Sequence, residues 1–256
     1  MPIQTVFLDA GGVLVNPNWS RVADVLGRHG VTVDSARLAE AEPRAKKRLD
    51  TGDIITATND QQRGWTYFNL VLTEAGVPLT AATAAALAEL HTYHQTHNLW
   101  ETVPDEVLPS LAALRARGLR LVVLSNANGT LHRAFDRLGL TSSFDLIFDS
   151  HREGVEKPDP RFFQIALERA GADAATTMHV GDLYHVDVVG ARGAGLTPAL
   201  LDIGGLYPDC DCLRVRSLTE LVGALAPSLC RPSGLPRRAD LKVCTTCRAD
   251  LKVCTT

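Results

Sequence analysis

Thr5 to Val15 reads TVFLDAGGVLV, an apolar run that delivers one carboxylate, Asp9, onto the glycine pair Gly11 and Gly12. Val6, Phe7 and Leu8 are consecutive rather than alternating, the pattern of a strand covered on both faces in a parallel sheet. Ligands gather where such strands end. A carboxylate there is costly unless a cation or a hydrogen-bond donor meets it, which makes Asp9 a candidate for chemistry. The plainer alternative is that Asp9 caps the turn before Gly11 and Gly12.

From about Pro109 the chain alternates strand and helix, the rhythm of a parallel sheet with crossover helices. A helix from Val107 to Arg117 stops at Gly118, and Leu121 to Leu124 form a second buried strand. Ser125 and Asn126 stand at its C-terminal end, ahead of a helix that runs to Gly139. Hydroxyl, amide and free backbone N–H groups there suit a phosphate or another oxyanion, unless they only turn the chain and cap the helix. A third strand, Phe144 to Phe148, leads to EKPDPRFFQIALERAG, where Asp159 caps a helix, Pro160 takes its first position and Gly171 ends it. Lys157 precedes Pro158 in an extended segment directed at the same sheet end. A fourth strand, Thr177 to Val180, delivers Asp182, with Asp187 following at the start of the small-residue helix VVGARGAG. Either acid could cap a helix. Three aspartates gathered at one edge raise one another's pKa unless a cation compensates, and hard oxygen ligands suggest Mg²⁺. Pro198 to Asp202, a short Arg214 to Val215 piece and a helix at Leu218 to Leu225 complete the domain.

Between Asn16 and Trp100 the chain reads as helices. Trp19, Val22, Ala23 and Leu26 share a helical face that stops at Gly30, Leu70 to Ala75 ends at Gly76, and Thr80 caps the next helix. His91, His94 and His97 recur every third residue, a loose spacing for a metal site. Trp65, Tyr67 and Phe68 either line a pocket or form the core of this block. The chain has 256 residues, 45% hydrophobic and 21% charged, with a net charge of -3, which excludes the basic footprint of a nucleic-acid binder. The N-terminus has no basic segment followed by an apolar core, and no apolar run is long enough to span a bilayer, so the expectation is a cytoplasmic protein. No feature sets an oligomeric state. All six cysteines fall at Cys210 or later, as expected of a reduced compartment. RADLKVCTT occurs at Arg238 to Thr246 and again at Arg248 to Thr256. The Cys244 and Cys247 spacing comes from this duplication, and Pro227 onward is expected to be a loosely ordered appendage.

Taken together, the strand-end motifs resemble the haloacid dehalogenase superfamily of hydrolases, in the branch with a helical cap inserted after the first motif. Asp9 in DAGGVL matches the nucleophile of the first motif, Ser125 the second, Lys157 in KPDP the third, and Asp182 and Asp187 with GARGAG the fourth. The likeness spans roughly Ile3 to Leu225. It implies an α/β, Rossmann-like parallel-sheet core at residues 1–15 and 101–226, an all-helical cap at 16–100 and a repeat-containing tail at 227–256. The implied strand order is fifth, fourth, first, second, third. The cap would close over the site and shape substrate choice.

The implied reaction is two-step phosphoryl transfer on a small phosphorylated substrate. Asp9 would attack phosphorus, while Lys157, Ser125 and backbone N–H groups stabilise the transferring oxygens, with Gly12 and Asn126 among the substrate contacts. By resemblance Mg²⁺ is held by Asp9, Asp182 and the Gly11 carbonyl, with Asp187 a ligand or an acceptor that orients Lys157 or metal-bound water. One position departs from the pattern: the aspartate that serves the family's phosphatases as general acid and base is Gly11 here, a loss worth typically 10² to 10⁴ in rate. Four expectations follow. His185, or less directly His94 or His97, supplies the proton; or the substrate has a leaving group that departs without help, such as an acyl phosphate; or the reaction is a metal-independent 2-haloacid dehalogenation; or the chain binds a phosphometabolite with little turnover.

Overall fold

The apolar run that opens the chain becomes β1 (Thr5–Leu8), buried at every residue. Its side chains alternate between faces as strand geometry demands: Val6 and Leu8 enter one core layer and Phe7 the other. The structure, a computed structural model, describes residues 1–225. The duplicated RADLKVCTT segment, the Cys244 and Cys247 pair and the appendage expected from Pro227 lie outside the described residues.

After the Asp9 loop, β2 (Asn16–Pro17) opens an insertion of five helices: α1 (Trp19–Arg28), α2 (Ser35–Leu49), α3 (Gly52–Ala57), α4 (Asp60–Glu74) and α5 (Ala81–His97). The chain returns through β3 (Trp100–Thr102), which pairs antiparallel with β2. This two-stranded ribbon at the base of the insertion is absent from the sequence reading, because strands of two and three residues carry no period to detect. Asn18 caps α1 by accepting from the Arg21 N–H at 2.9 Å, and Thr80 caps α5 as expected. On α1 Trp19, Val22 and Leu26 are buried, whereas Ala23 is only partly covered. The insertion has its own apolar core, including Trp19, Leu38, Tyr67, Phe68, Leu72 and Leu90.

The sheet resumes through α6 (Val107–Ala116), β4 (Arg120–Ser125), α7 (Leu131–Arg137), β5 (Leu146–Asp149), α8 (Ser150–Glu153), α9 (Pro160–Ala170) and β6 (Thr177–Gly181). A π-helical turn, Tyr184–Val188, runs into α10 (Val189–Gly193), followed by β7 (Thr197–Leu201), β8 (Leu213–Val215) and α11 (Leu218–Ala224). The six strands run in the order β5-β4-β1-β6-β7-β8, all parallel. This is the expected order with the short Leu213–Val215 strand added at one edge. The third strand starts later than expected, since Phe144 follows a 3₁₀ turn and packs on Phe135 with ring centroids 5.8 Å apart. Among the described residues no helix is long and apolar enough to cross a membrane.

One sheet face is covered by α6, α7 and α11 through Leu111, Phe135 and Leu218. The other is covered by α9 and α10 through Phe162, Phe163 and Ala191. Gly190 is needed here, because a Cβ would press on the Phe163 ring and the Pro158 backbone. Phe163 meets His179 edge-on, with centroids 5.0 Å apart. Phe163→Ala is therefore expected to cost about 3–5 kcal/mol in urea unfolding, with m unchanged.

Candidate functional site

Parallel register brings the functional side chains together. Leu8 is level with Val123 and Val180, so Asp9, Ser125 and Asp182 leave the sheet along one edge. Lys157, 1% exposed, joins them from the segment before α9. Its Nζ lies 3.0 Å from Asp9 Oδ1 and 2.7 Å from Asp187 Oδ1. Burial alone would lower the Lys157 pKa, but the carboxylates of Asp187 and Asp9 outweigh it and raise it above the ordinary lysine value. Asn126 fixes the lysine from behind: its side-chain N–H donates to the Lys157 carbonyl at 2.9 Å, and its oxygen accepts the Lys157 N–H at 2.7 Å. Both ends of that amide are thus committed to Lys157, so Asn126 positions the lysine where a substrate contact was expected.

Asp187 is equally enclosed. Its Oδ1 accepts from Lys157 Nζ and from His179 Nε2 at 2.9 Å. Its Oδ2 accepts the backbone N–H groups of Asp182 and Leu183 at 3.2 and 3.0 Å. Burial would raise this carboxyl, yet Lys157 and His179 hold it well below the usual range. Both oxygens of Asp187 thus accept from protein donors, and one of them holds the Lys157 ammonium. His179 is fully buried, and burial lowers its pKa against the pull of Asp187. The sequence signal for it was a polar side chain inside the buried run TMHV.

Asp182 has a partner that sequence reasoning missed. Lys46, from α2 of the insertion, places Nζ 2.6 Å from Asp182 Oδ2 and 2.8 Å from Glu42 Oε1. Glu42 also accepts from Tyr67 Oη at 2.7 Å and Trp19 Nε1 at 3.2 Å. Burial lowers the Lys46 pKa, but Asp182 and Glu42 more than reverse this. Burial raises that of Asp182 against the pull of Lys46. The Lys46 contact is ionic and off the line of a hydrogen bond, so Asp182 Oδ2 is buried without an aligned donor. Oxygens of Asp9, Asp182 and Asp187 lie within 4.8 Å of one another. Four carboxylates face two ammonium groups, and this deficit of positive charge with hard oxygen donors fits a divalent cation. Gly12, at φ 79°, is required because a Cβ would collide with the Asp182 carboxylate and the Lys46 ammonium.

The Asp9 loop separates two cavities. One, of about 440 Å³, is lined by Gly12, Glu42, Lys46 and Asp182. The other, of about 510 Å³, is lined by Gly11 and Ser125 together with Trp65, Phe68 and Trp100. Two of the three aromatics singled out in the sequence thus line a cavity and also belong to the insertion core, while Tyr67 turns its hydroxyl to Glu42. At Gly11 a Cβ would stand 3.2 Å from Trp100 Nε1, so the indole covers the position that a longer side chain would use. His185 is not brought to Asp9. Its Nδ1 and backbone N–H bind Asp50 Oδ1 at 3.1 and 2.8 Å, and it lines neither cavity. His94 lines the larger cavity, with burial lowering its pKa to about 4. His97 instead stacks on Tyr93, with centroids 4.7 Å apart.

Because the folded-state pKa of Asp187 lies below its unfolded value of about 3.9, its stabilising contribution is complete above that pH and is lost on acidification toward the depressed value. Metal-free wild type should therefore lose stability below about pH 4. Asp187→Asn should be destabilised by about 3–5 kcal/mol at neutral pH and lack that acid-dependent segment in urea titrations.

The comparisons agree with this geometry. A family model described as haloacid dehalogenase-like hydrolase matches residues 3–195. Haloacid dehalogenase-like hydrolase domain-containing protein 3 of Mus musculus is 35% identical over 122 residues, covering 48% of each chain, so the match spans about half the length of that relative. Glyceraldehyde 3-phosphate phosphatase of Methanopyrus kandleri is 30% identical over 172 residues, 62% of this chain and 72% of the relative. The structure of the HAD-hydrolase YfnB from Bacillus subtilis, bound to magnesium, aligns with a TM-score of 0.64 at 18% identity, over 89% of this chain and 100% of the other. With its sheet, its strand-end carboxylates and its matched sequence, the chain belongs to the haloacid dehalogenase-like hydrolases.

Proposed function

We propose that this hydrolase is a Mg²⁺-dependent phosphatase that acts on a small phosphorylated metabolite through an aspartyl-phosphate at Asp9. The observation that carries the reading is the placement of Asp9 beside a buried lysine shared with Asp187, at the edge where Asp182 presents an oxygen without an aligned donor. The phosphatases among the relatives support it.

In this reading Asp9 is the nucleophile, its Oδ1 3.0 Å from the Lys157 ammonium. That ammonium, already held at one place by Asp187 and Asn126, takes up charge on the transferring phosphoryl oxygens without reorganising. Ser125 lines the larger cavity, and in this reading its hydroxyl donates to a phosphoryl oxygen. Mg²⁺ would be held by Asp9, Asp182 and the Gly11 carbonyl, and would neutralise charge between nucleophile and substrate. Gly12 keeps the backbone close to Asp182. The insertion closes the larger cavity and excludes water from the substrate.

Incubation with a panel of phosphomonoesters, acyl phosphates and a 2-haloacid is expected to release phosphate only with Mg²⁺, and Asp9→Asn should abolish that release. Halide release without metal would reassign the chain to dehalogenation. Ligand binding with no product would reassign it to a binder. Lys46→Met should tighten Mg²⁺ binding in calorimetry, since the ammonium no longer occupies Asp182. The same change should cost the metal-free protein about 1–3 kcal/mol.

A further inference from the structure

The proposed phosphatase chemistry needs a proton for the leaving oxygen, and the Asp9 loop cannot supply it from Gly11, where Trp100 fills the space. We propose that Asp60, in the first turn of α4, is the acid and base of this reaction, supplied by the insertion in place of the carboxylate missing at Gly11. The inference rests on the phosphatase reading.

Asp60 lines the same cavity as Ala10, Gly11 and Ser125. The other acid on that lining, Glu156, is engaged: it accepts the Asp60 N–H at 3.1 Å and the Arg63 guanidinium at 3.4 Å. The Asp60 carboxylate accepts no hydrogen bond among the described residues. Its nearest cation, Arg63 Nη2, stands at 3.7 Å. The side chain remains 45% accessible although protein surrounds it, as for a group opening onto a cleft. Burial raises its pKa to about 6 against the pull of Arg63, and Glu156 and Asp9 add to the rise, with Lys157 opposing. The other titratable groups of the cavity are His91 and His94 on α5 and His151 on α8. His94 is held neutral at physiological pH by burial.

As Asp9 bonds to phosphorus and the phosphorus–oxygen bond to the leaving group breaks, the Asp60 carboxylic acid passes its proton to the departing oxygen, giving the free alcohol. The Asp60 carboxylate then takes a proton from the water that attacks the aspartyl-phosphate. Phosphate leaves, and both carboxyl groups return to their starting states.

The test compares glycerol 1-phosphate with 4-nitrophenyl phosphate, using the full chain with Mg²⁺. Asp60→Asn is expected to lower glycerol phosphate turnover by about 10² to 10⁴. With the aryl ester, whose leaving group needs no proton, it should give one equivalent of nitrophenolate in a burst, then slow turnover with phosphoenzyme present. The limb near pH 6 in the wild-type profile should disappear, and formate should restore part of the Asp60→Ala activity. Turnover within twofold of wild type on both esters would overturn the assignment. So would equal loss on both with neither burst nor formate rescue. If wild type itself releases no phosphate from any ester of the panel, the phosphatase reading fails and this assignment falls with it.

Discussion

The ammonium of Lys157, buried between Asp9 and Asp187, is the constraint on which the site depends. A buried charge is tolerated only when paired and hydrogen-bonded, and here one cation answers two carboxylates, one from the loop after β1 and one from the turn that follows β6. Asn126 fixes its backbone, and His179 with two backbone N–H groups fixes the far carboxylate. The spatial order of the strands follows from this need as much as from packing. Only with β4 and β6 flanking β1 do the motif ends converge on one lysine.

The insertion is tied to that arrangement by charge. Glu42, Lys46 and Asp50 recur every fourth residue along α2 and its C-cap, a spacing that aligns them on one helix face. Lys46 engages Asp182, while Asp50 receives the N–H groups of Tyr184 and His185 at 2.7 and 2.8 Å and the Tyr207 hydroxyl at 2.5 Å. Asp50, 2% exposed, thereby holds the loop between Asp182 and Asp187 in place. The insertion accordingly helps to shape the fourth motif.

How much of this could be read in advance depended on period and on distance along the chain. Val6–Leu8 and Leu121–Leu124 announced themselves as unbroken apolar runs, and Asp159, Pro160 and Gly171 marked α9 by local chemistry alone. Asp9, Lys157, Asp182 and Asp187 were legible because each follows a strand or precedes a cap. Lys46 was not, since an i,i+4 Glu and Lys pair on a helix is ordinarily a solvated face; only tertiary packing turned it inward. His185 failed for the opposite reason. It is near the motif in sequence, but Asp50, more than a hundred residues away, turns its ring aside. The cover of Trp100 over Gly11 likewise joins residues that no local pattern links.

The two lysines of the site differ in what they can give up. Lys157 is 1% exposed between its two carboxylates, and its removal would strand that of Asp187, which is equally buried. Lys46 belongs to the helical insertion and meets an Asp182 oxygen that has no aligned donor, so a cation binding at Asp182 would compete with it directly. By linkage, anything that takes Lys46 off Asp182 must alter the docking of α2 by the same free energy. Glu42 limits that change, because it retains Tyr67 and Trp19 when the ammonium moves. Release of the ion pair between insertion and core therefore leaves the Lys46 ammonium paired, because Glu42 stays beside it.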